Sequence, residues 1–277
     1  MAIVVISRGT FSGGEKLASA VAERLGYRCV SREVIYEAAA GYEIPAEELM
    51  AAMEKRPPVW DRLAGKRNTY LVFMRAALCE HARGGKLVYH GHVGQLLLPG
   101  IEQVLRVRVI ADQEYRIRAA MAQQHFTREA AIAYIEKVDR ERRQWARFLF
   151  QVEWDDALLY DLVLNLSRMS LETACEMVVH ATTKPEFIPT PATAKALRDL
   201  ALVSRVAAVC ARDPRTRNLD LDVTADDGRV TVSGTTQSPQ VIAAVPEIVR
   251  RAEGVSDVVS KVRLLREGAT LQMLCLV

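Results

Sequence analysis

The sequence predicts an α/β protein, with a parallel β-sheet covered by helices on both faces and then a small α+β domain of the order αββαβ. Three observations carry this prediction. Short runs rich in Val and Ile alternate with amphipathic helical patterns over the first part of the chain. A polar stretch with three prolines, KPEFIPTPATAK, then interrupts the pattern. Beyond it, two alternating strands joined across DDG indicate a β-hairpin.

The first strand, turn and helix lie at the start of the chain. Residues 2–7 form a short apolar run rich in Val and Ile, which predicts a buried strand. From Glu15 the apolar residues recur at helical spacing, and Gly26 is typical of a helix end. The sequence therefore predicts a strand, a glycine-rich turn and a helix in succession.

Further strands and helices follow in alternation. Residues 86–90, residues 104–110 and the run LYDLVLNL predict buried strands. The arginine-rich residues 112–152 are expected to be helical, and another helix is expected to begin near Ser170. Strands that alternate with helices in this way favour a parallel sheet with helices on both faces.

The second domain follows the proline-rich stretch. An amphipathic pattern predicts a helix over residues 193–211, and Gly228 suits the tight turn of the hairpin. A helix over residues 239–252 and a strand over residues 258–265 complete the order αββαβ. We place the first domain at residues 1–183, an extended linker at 184–192 and the second domain at 193–277.

Composition excludes several classes of protein. The net charge of +3 is small for 277 residues, so we expect no general affinity for nucleic acid or for a membrane surface. The five cysteines are odd in number and form no CxxC pair, which predicts free thiols in a reducing compartment. No signal peptide and no apolar run of about 20 residues is present, so we expect no transmembrane segment and a cytoplasmic location.

The turn RGTFSGGEK lies where a phosphate-binding loop is expected, between a strand and a helix. The standard loop GxxxxGK[ST] adds a lysine and a hydroxyl to a nest of backbone N–H groups. Matching the strand end to the helix start places Gly13 at the second glycine, Gly14 at the lysine and Glu15 at the hydroxyl. The backbone nest is therefore retained, whereas the lysine and the hydroxyl are absent.

Other residues of this turn offer donors and positive charge. The hydroxyls of Thr10 and Ser12 can donate hydrogen bonds, and Arg8 or Lys16 can supply a charge near a bound phosphate. The alternative is that the glycines serve only a tight backbone turn. The predicted nucleotide-binding residues are Arg8, Ser12, Gly13, Gly14 and Lys16.

The segment ISRGTFSGGEKLASAVAERLGY resembles the start of the cytidylate kinase-like family. Four further blocks resemble that family in the same order: KLVYHGHVGQLLL, LRVRVIADQEYRIRAAM, AIAYIEKVDRERRQWARFLF and VEWDDALLYDLVLNLSRMS. The resemblance implies a P-loop NTPase-type sheet with an insertion that closes over an acceptor nucleotide and a lid that carries arginines. It also implies ATP with Mg²⁺, although no metal ligand is identifiable in the sequence.

The resemblance implies that lid arginines act on the transferring phosphoryl group, because this chemistry depends on positioning and on charge stabilisation. We assign catalytic roles to Arg116, Arg140 and Arg143 and a substrate-binding role to Arg142. Asp139 either orients these arginines, lies near a metal or forms a surface salt bridge. Members of the family carry Gly-Arg at the end of the second core strand. This chain has His92 in place of that arginine, and we assign it to substrate binding.

The segments DGRVTVSG and EGVSDVVSKVRL resemble the BON domain, a small αββαβ module. The resemblance implies binding of a ligand or phospholipid, as in related envelope proteins. No nucleophile, acid/base pair or ligand cluster is visible in this segment. We therefore expect it to regulate the first domain, to bind a protein partner or to mediate self-association.

Three functions remain open from the sequence. The first is a nucleotide-binding enzyme that transfers the γ-phosphoryl group of ATP to a small acceptor such as a nucleoside monophosphate. The second is a non-catalytic nucleotide sensor, which the missing lysine and hydroxyl favour. The third is a scaffold that binds a lipid or a protein partner and no nucleotide.

Overall fold

The computed structural model describes residues 2–31, 33, 34, 37, 41, 66–91 and 93–265. His92, to which the sequence assigns a substrate-binding role, lies outside these described residues. Among the helices within them, none combines the length and the apolar composition that crossing a bilayer requires. The four cysteines in the described part of the chain are free thiols, three of them buried.

The first domain contains a five-stranded sheet in the order β2-β3-β1-β4-β5, and every neighbouring pair is parallel. Four strands coincide with the predicted apolar runs. The sequence did not predict β2, which has only three residues and is partly exposed, so that it shows no apolar run. The strands are β1 (Ile3–Arg8), β2 (Arg28–Val30), β3 (Leu87–His90), β4 (Val104–Ile110) and β5 (Leu162–Asn165).

Helices cover both faces of this sheet, as the sequence predicts. Alternate residues of β1 enter different cores: Ile3 packs in the cluster that contains Phe73, whereas Val4 packs in the cluster that contains Leu17 and Val178. Within the described residues, the helices of this domain whose bounds are defined are α1 (Gly14–Leu25), α2 (Lys66–Ala82), α3 (Gly94–Leu97), α4 (Gln113–Gln124), α5 (Arg128–Phe150) and α6 (Leu171–Ala181).

The predicted helical region 112–152 is a hairpin of two helices, α4 and α5. Asp112 caps α4, and Thr127 caps α5 through a hydrogen bond to the N–H of Ala130. His125 has a left-handed backbone with φ of 56° and ends α4. We call α4 and α5 the lid, because their facing side chains contact the turn between β1 and α1.

The second domain has the predicted order αββαβ. Strands β6 and β7 are antiparallel, and β8 pairs with β7 in parallel. The hairpin turn is formed by Asp227 with φ of 43° and Gly228 with φ of 90°, which is the backbone that a two-residue turn requires. The elements are α7 (Pro191–Arg212), β6 (Leu221–Asp226), β7 (Arg229–Thr236), α8 (Pro239–Val249) and β8 (Asp257–Leu264).

Helix α7 packs against both domains. Leu197 and Ala201 lie in the core that contains α2, whereas Leu202 and Val206 lie in the core of the second domain. In place of the extended chain that the prolines suggested, residues 185–187 form a 3₁₀ turn, and Pro191 is the first residue of α7. The position of the domain boundary stays a prediction.

Candidate functional site

The candidate site lies at the carboxyl ends of β1 and β4, which are neighbours in the sheet. After β1 the chain crosses to one side of the sheet, towards β2 and β3, and after β4 it crosses to the other side, towards β5. Open α/β sheets bind their ligands in the crevice at such a point. The topology therefore places the expected ligand crevice at the turn after β1 and the end of β4.

The turn after β1 brings the start of α1 into this crevice. Gly13 has φ of 86° and precedes α1 without a side-chain cap. A Cβ on Gly13 would lie 2.9 Å from Leu166 Cδ1 and 3.2 Å from the Tyr115 hydroxyl, so the position requires glycine. No described residue accepts a hydrogen bond from the first N–H groups of α1, from Gly14 to Lys16. These groups remain available to an anion.

The earlier part of the turn is tied to the sheet. The N–H of Gly9 and the hydroxyl of Ser12 both donate to the carbonyl of Val109, each at 3.2 Å. Ser12 is buried, so its side chain is committed to the strand below. A Cβ on Gly14 would lie only 2.6 Å from Arg8 Cβ, and a lysine at this position would displace Arg8.

Phe11 fixes the turn to the lid, a role that sequence reasoning missed. Its φ is 58°, which is strained for an aromatic residue and costs on the order of 1–3 kcal/mol. Its ring lies 5.9 Å from the ring of Tyr134 and packs on the small lid core around Ile117 and Ile135. Burial of this ring offsets the backbone strain.

Asp139 makes the polar connection between turn and lid. Its carboxylate accepts hydrogen bonds from the N–H and the hydroxyl of Thr10, at 3.2 and 2.6 Å, and forms an ion pair with Arg116. Arg116 also donates to the Thr10 carbonyl at 2.7 Å. Burial by itself raises the pKa of Asp139, but the hydrogen bonds from Thr10 and the charge of Arg116 outweigh it and lower that pKa. Asp139 is therefore a buried positioning residue and not part of a surface salt bridge.

Arg142 extends from α5 towards the same turn. Its guanidinium donates to the carbonyl of Arg8 at 3.1 Å and to the Thr10 hydroxyl at 3.3 Å. Among the described residues no carboxylate lies within ion-pair distance of it. Burial and the nearby charges of Arg8 and Arg108 lower the pKa of Arg142 to about 10. A guanidinium in this setting is a natural contact for an incoming anion.

Arg108, near the carboxyl end of β4, is a site residue that sequence reasoning missed. It is 5% exposed, stacks 3.7 Å over the Trp154 ring and donates to the Ser7 hydroxyl at 3.2 Å. Its other terminal nitrogen donates to Asp155 at 2.8 Å, and Asp155 also accepts from Arg143 at 2.8 Å. The available signal was an arginine inside a strand that is buried on both faces, where a charge requires a partner.

The predicted residues do not all converge. Arg8 pairs with Glu15 at 3.7 Å and joins Arg116 and Arg142 at the turn. Arg143 reaches the site only through the carboxylate that it shares with Arg108. The two remaining predicted residues, Lys16 and Arg140, are exposed. No group of three potential metal ligands occurs in the described part of the chain.

Comparison with known proteins identifies the family of the chain. A sequence model of the cytidylate kinase-like family matches residues 3–168, which is more than half of the chain. The chain belongs to the cytidylate kinase-like family. Residues 198–266 match the BON domain, so this kinase-like, nucleotide-binding family member carries a BON domain after its α/β domain. No curated protein matches the chain.

Solved structures similar to this cytidylate kinase-like protein include an uncharacterised protein from Eubacterium ventriosum, with 18% identity and a TM-score of 0.50, covering 66% of this chain and 99% of that one. A shikimate kinase from Bacteroides thetaiotaomicron has 10% identity and a TM-score of 0.41, covering 66% and 99%. Dephospho-CoA kinase from Campylobacter jejuni has 10% identity and a TM-score of 0.37, covering 64% and 95%. Because its sequence identity is only 18%, the similarity to the Eubacterium ventriosum protein shows the fold alone.

Proposed function

We propose that the α/β domain binds ATP with its phosphates at the start of α1 and transfers the γ-phosphoryl group to a small acceptor such as a nucleoside monophosphate. The observation that carries this proposal is Arg142, a partly buried guanidinium whose hydrogen bonds go to a carbonyl and a hydroxyl. It lies at a turn followed by free helix N–H groups. A polyphosphate supplies the negative charge that both features favour.

The charge balance of the crevice supports a polyanionic ligand. Five guanidinium groups lie around the turn and the end of β4, and among the described residues ion pairs join four of them to three carboxylates. Positioned positive charges stabilise the charge that develops on a transferring phosphoryl group. The guanidinium groups belong to Arg8, Arg108, Arg116, Arg142 and Arg143, and the carboxylates to Glu15, Asp139 and Asp155.

Because the lysine and the hydroxyl are missing, other groups of the site must contact the phosphates. We assign the β- and γ-phosphates to the N–H groups from Gly14 to Lys16 and to Arg142. Mg²⁺ would be held mainly by the phosphates of ATP, because in kinase sites this ion is bound largely by substrate phosphates and one or two carboxylates. The turn also carries the exposed carboxylate of Glu15, at the hydroxyl position, which pairs with Arg8. Cytosolic ATP and the free thiols favour a cytoplasmic location.

Binding and transfer can be measured separately. Titration of ADP and of Mg·ATP into the full chain by calorimetry tests the nucleotide site, and transfer of labelled γ-phosphate across a panel of nucleoside monophosphates tests the reaction. We expect binding of both nucleotides and transfer to at least one monophosphate. Absence of ADP binding would overturn the proposal.

The second candidate is a nucleotide sensor without catalysis, favoured by Gly14 and Glu15 at the lysine and hydroxyl positions. Under this alternative ADP binds, no monophosphate is phosphorylated, and the signal passes to the second domain through α7. Transfer to any acceptor would rule the sensor out.

We propose that the BON domain regulates the first domain or mediates assembly, because α7 packs in both cores.

A further inference from the structure

Arg108 is held rigidly at the crevice, next to the proposed ATP site. The Trp154 ring on which it stacks is 1% exposed and is fixed by a 3.0 Å hydrogen bond from its indole N–H to the Ser7 hydroxyl. Tyr160 supports the same arrangement by donating to the Trp154 carbonyl at 2.8 Å. A guanidinium that is already fixed loses little side-chain entropy when it binds a ligand.

Asp155 holds Arg108 and Arg143 together with one oxygen for each. Oδ1 accepts from Arg108 and Oδ2 accepts from Arg143, both at 2.8 Å. The Asp155 side chain is 54% exposed and that of Arg143 is 44% exposed, whereas Arg108 is buried. The carboxylate therefore lies on the solvent side of a fixed cation, and it can leave without breaking the core.

We propose that Arg108 and Arg143 form a second oxyanion site, which takes the phosphate of the acceptor phosphomonoester, and that the Asp155 carboxylate occupies this site when no acceptor is bound. Its assignment to the acceptor rests on the proposed function. Two arginines that each hold a separate oxygen of one anion suit a phosphate as well as a carboxylate. Asp155 is then an internal competitor that the acceptor displaces.

The position of the site next to the ATP site supports this role. Arg108 lies 3.7 Å and Arg142 lies 5.9 Å from the centroid of the same Trp154 ring. The proposed donor and acceptor sites therefore share one wall, as a direct transfer between bound phosphates requires. Asp155 is half exposed, and a ligand oxyanion that replaces it keeps the buried Arg108 guanidinium paired, so the exchange leaves no unpaired charge in the core.

The test is the Asp155→Asn variant of the full chain, titrated with CMP, with cytidine and with inorganic phosphate. Removal of the competing charge is expected to raise the affinity for CMP and for inorganic phosphate on the order of fivefold, the equivalent of about 1 kcal/mol. The affinity for cytidine is expected to stay unchanged. Adding Arg143→Gln to the same variant is expected to abolish the gain. Both substituted side chains are about half exposed, so the variants are expected to fold.

Glu153→Gln is the matched control, because Glu153 accepts from Arg147 at 2.6 Å in an exposed pair on the same two segments. We expect it to leave CMP affinity unchanged. The second site would be overturned if Asp155→Asn binds CMP no more tightly than the parent protein does. It would also be overturned if cytidine affinity rises equally, or if the rise in CMP affinity persists when Arg143→Gln is added. ADP titration of the same proteins reports on the proposed function separately, since a chain that fails to bind ADP can still show the phosphate effect.

Discussion

The Thr10 hydroxyl donates a 2.6 Å hydrogen bond to the carboxylate of Asp139, which lies 129 residues further along the chain. The same carboxylate accepts the Thr10 N–H and pairs with Arg116 on the other lid helix. One buried group therefore fixes the turn after β1, α4 and α5 relative to each other. The turn that we assign to ATP phosphates is shaped by the lid as much as by its own glycines.

Replacing Asp139 with Asn is expected to destabilise the protein and to weaken ADP binding. The substitution removes the charged partner of Arg116 and leaves that guanidinium partly buried, and losing one partner of a buried pair costs about 3–5 kcal/mol. Thermal unfolding and ADP titration measure the two effects. Asp257→Asn is the control, because it breaks an exposed pair with Arg229 in the second domain and should change neither quantity.

The effect of Asp139→Asn depends on pH with a definite sign. The pKa of Asp139 is lower in the folded protein than its unfolded value of about 3.9, so its contribution is fully present above that value and is lost as the pH falls through the folded pKa. The difference in Tm between wild type and variant should be constant near neutral pH and shrink below about pH 4. A difference that grows with acid would contradict the assigned charge state.

Gly13→Val is expected to abolish ADP binding, because the added Cβ collides with Leu166 and Tyr115 at the start of α1. Gly26→Val is the matched control: Gly26 also has a left-handed backbone, with φ of 64°, but has open space around it. Both variants carry a backbone strain of about 1–2 kcal/mol, and only the first alters the turn. Equal ADP affinity in the two variants would show that the turn connects β1 to α1 and does not bind nucleotide.

Much of the fold could be predicted from the sequence. Apolar runs long enough to fill a buried strand identified four strands, and the DDG turn identified the hairpin at Gly228. The three residues of β2 gave no periodic signal. The packing of α7 against both domains could not be predicted from the sequence. A helix with buried residues on two sides shows an apolar pattern, but the pattern does not show which core each side enters.

The candidate site could be predicted only in part. Arginines spaced along the lid indicated a cationic cleft, and Arg116 and Arg142 do reach the turn. Sequence spacing could not show that Arg140 is exposed. It also could not show that Arg108 lies beside Ser7, because that contact depends on the register between β1 and β4.

Arg142→Met is expected to weaken ADP binding and at the same time to raise Tm. The guanidinium lies near Arg8 and Arg108, and burial already disfavours its charge. An apolar side chain of similar length removes that cost, and single stabilising substitutions commonly contribute about 0.5–2 kcal/mol. Thermal unfolding without nucleotide and calorimetric titration with ADP separate the two effects. A variant with lower Tm and unchanged ADP affinity would make Arg142 a structural residue.

Arg140→Ala tests whether an exposed lid arginine takes part in transfer. If the side chain reaches the phosphoryl group when the nucleotides are bound, turnover should fall on the order of 10³-fold with little change in Tm. Arg128→Ala is the control, because this exposed lid arginine pairs with Glu114 at 2.7 Å and has no assigned role. Equal turnover in the two variants would remove Arg140 from the catalytic set.

The predicted domain boundary can be tested by comparing a fragment ending at residue 183 with one ending at residue 213. Helix α7 packs on α2 through buried Leu197 and Ala201, and Arg205 pairs with Glu80 at 3.1 Å. Removing it uncovers apolar surface on α2, so we expect the shorter fragment to unfold at lower temperature and to lose ADP binding.

In the longer fragment, the side of α7 that normally contacts the second domain becomes exposed. The substitutions Leu202→Lys and Val206→Lys make that side polar in the longer fragment, so that aggregation does not obscure the comparison. We expect this fragment to retain ADP affinity, because α7 then still covers α2. Equal Tm and equal ADP affinity in both fragments would show that the first domain does not need α7 for stability or binding, and would support a boundary at residue 183. Loss of binding in both would show that the first domain depends on the BON domain as well as on the helix that they share.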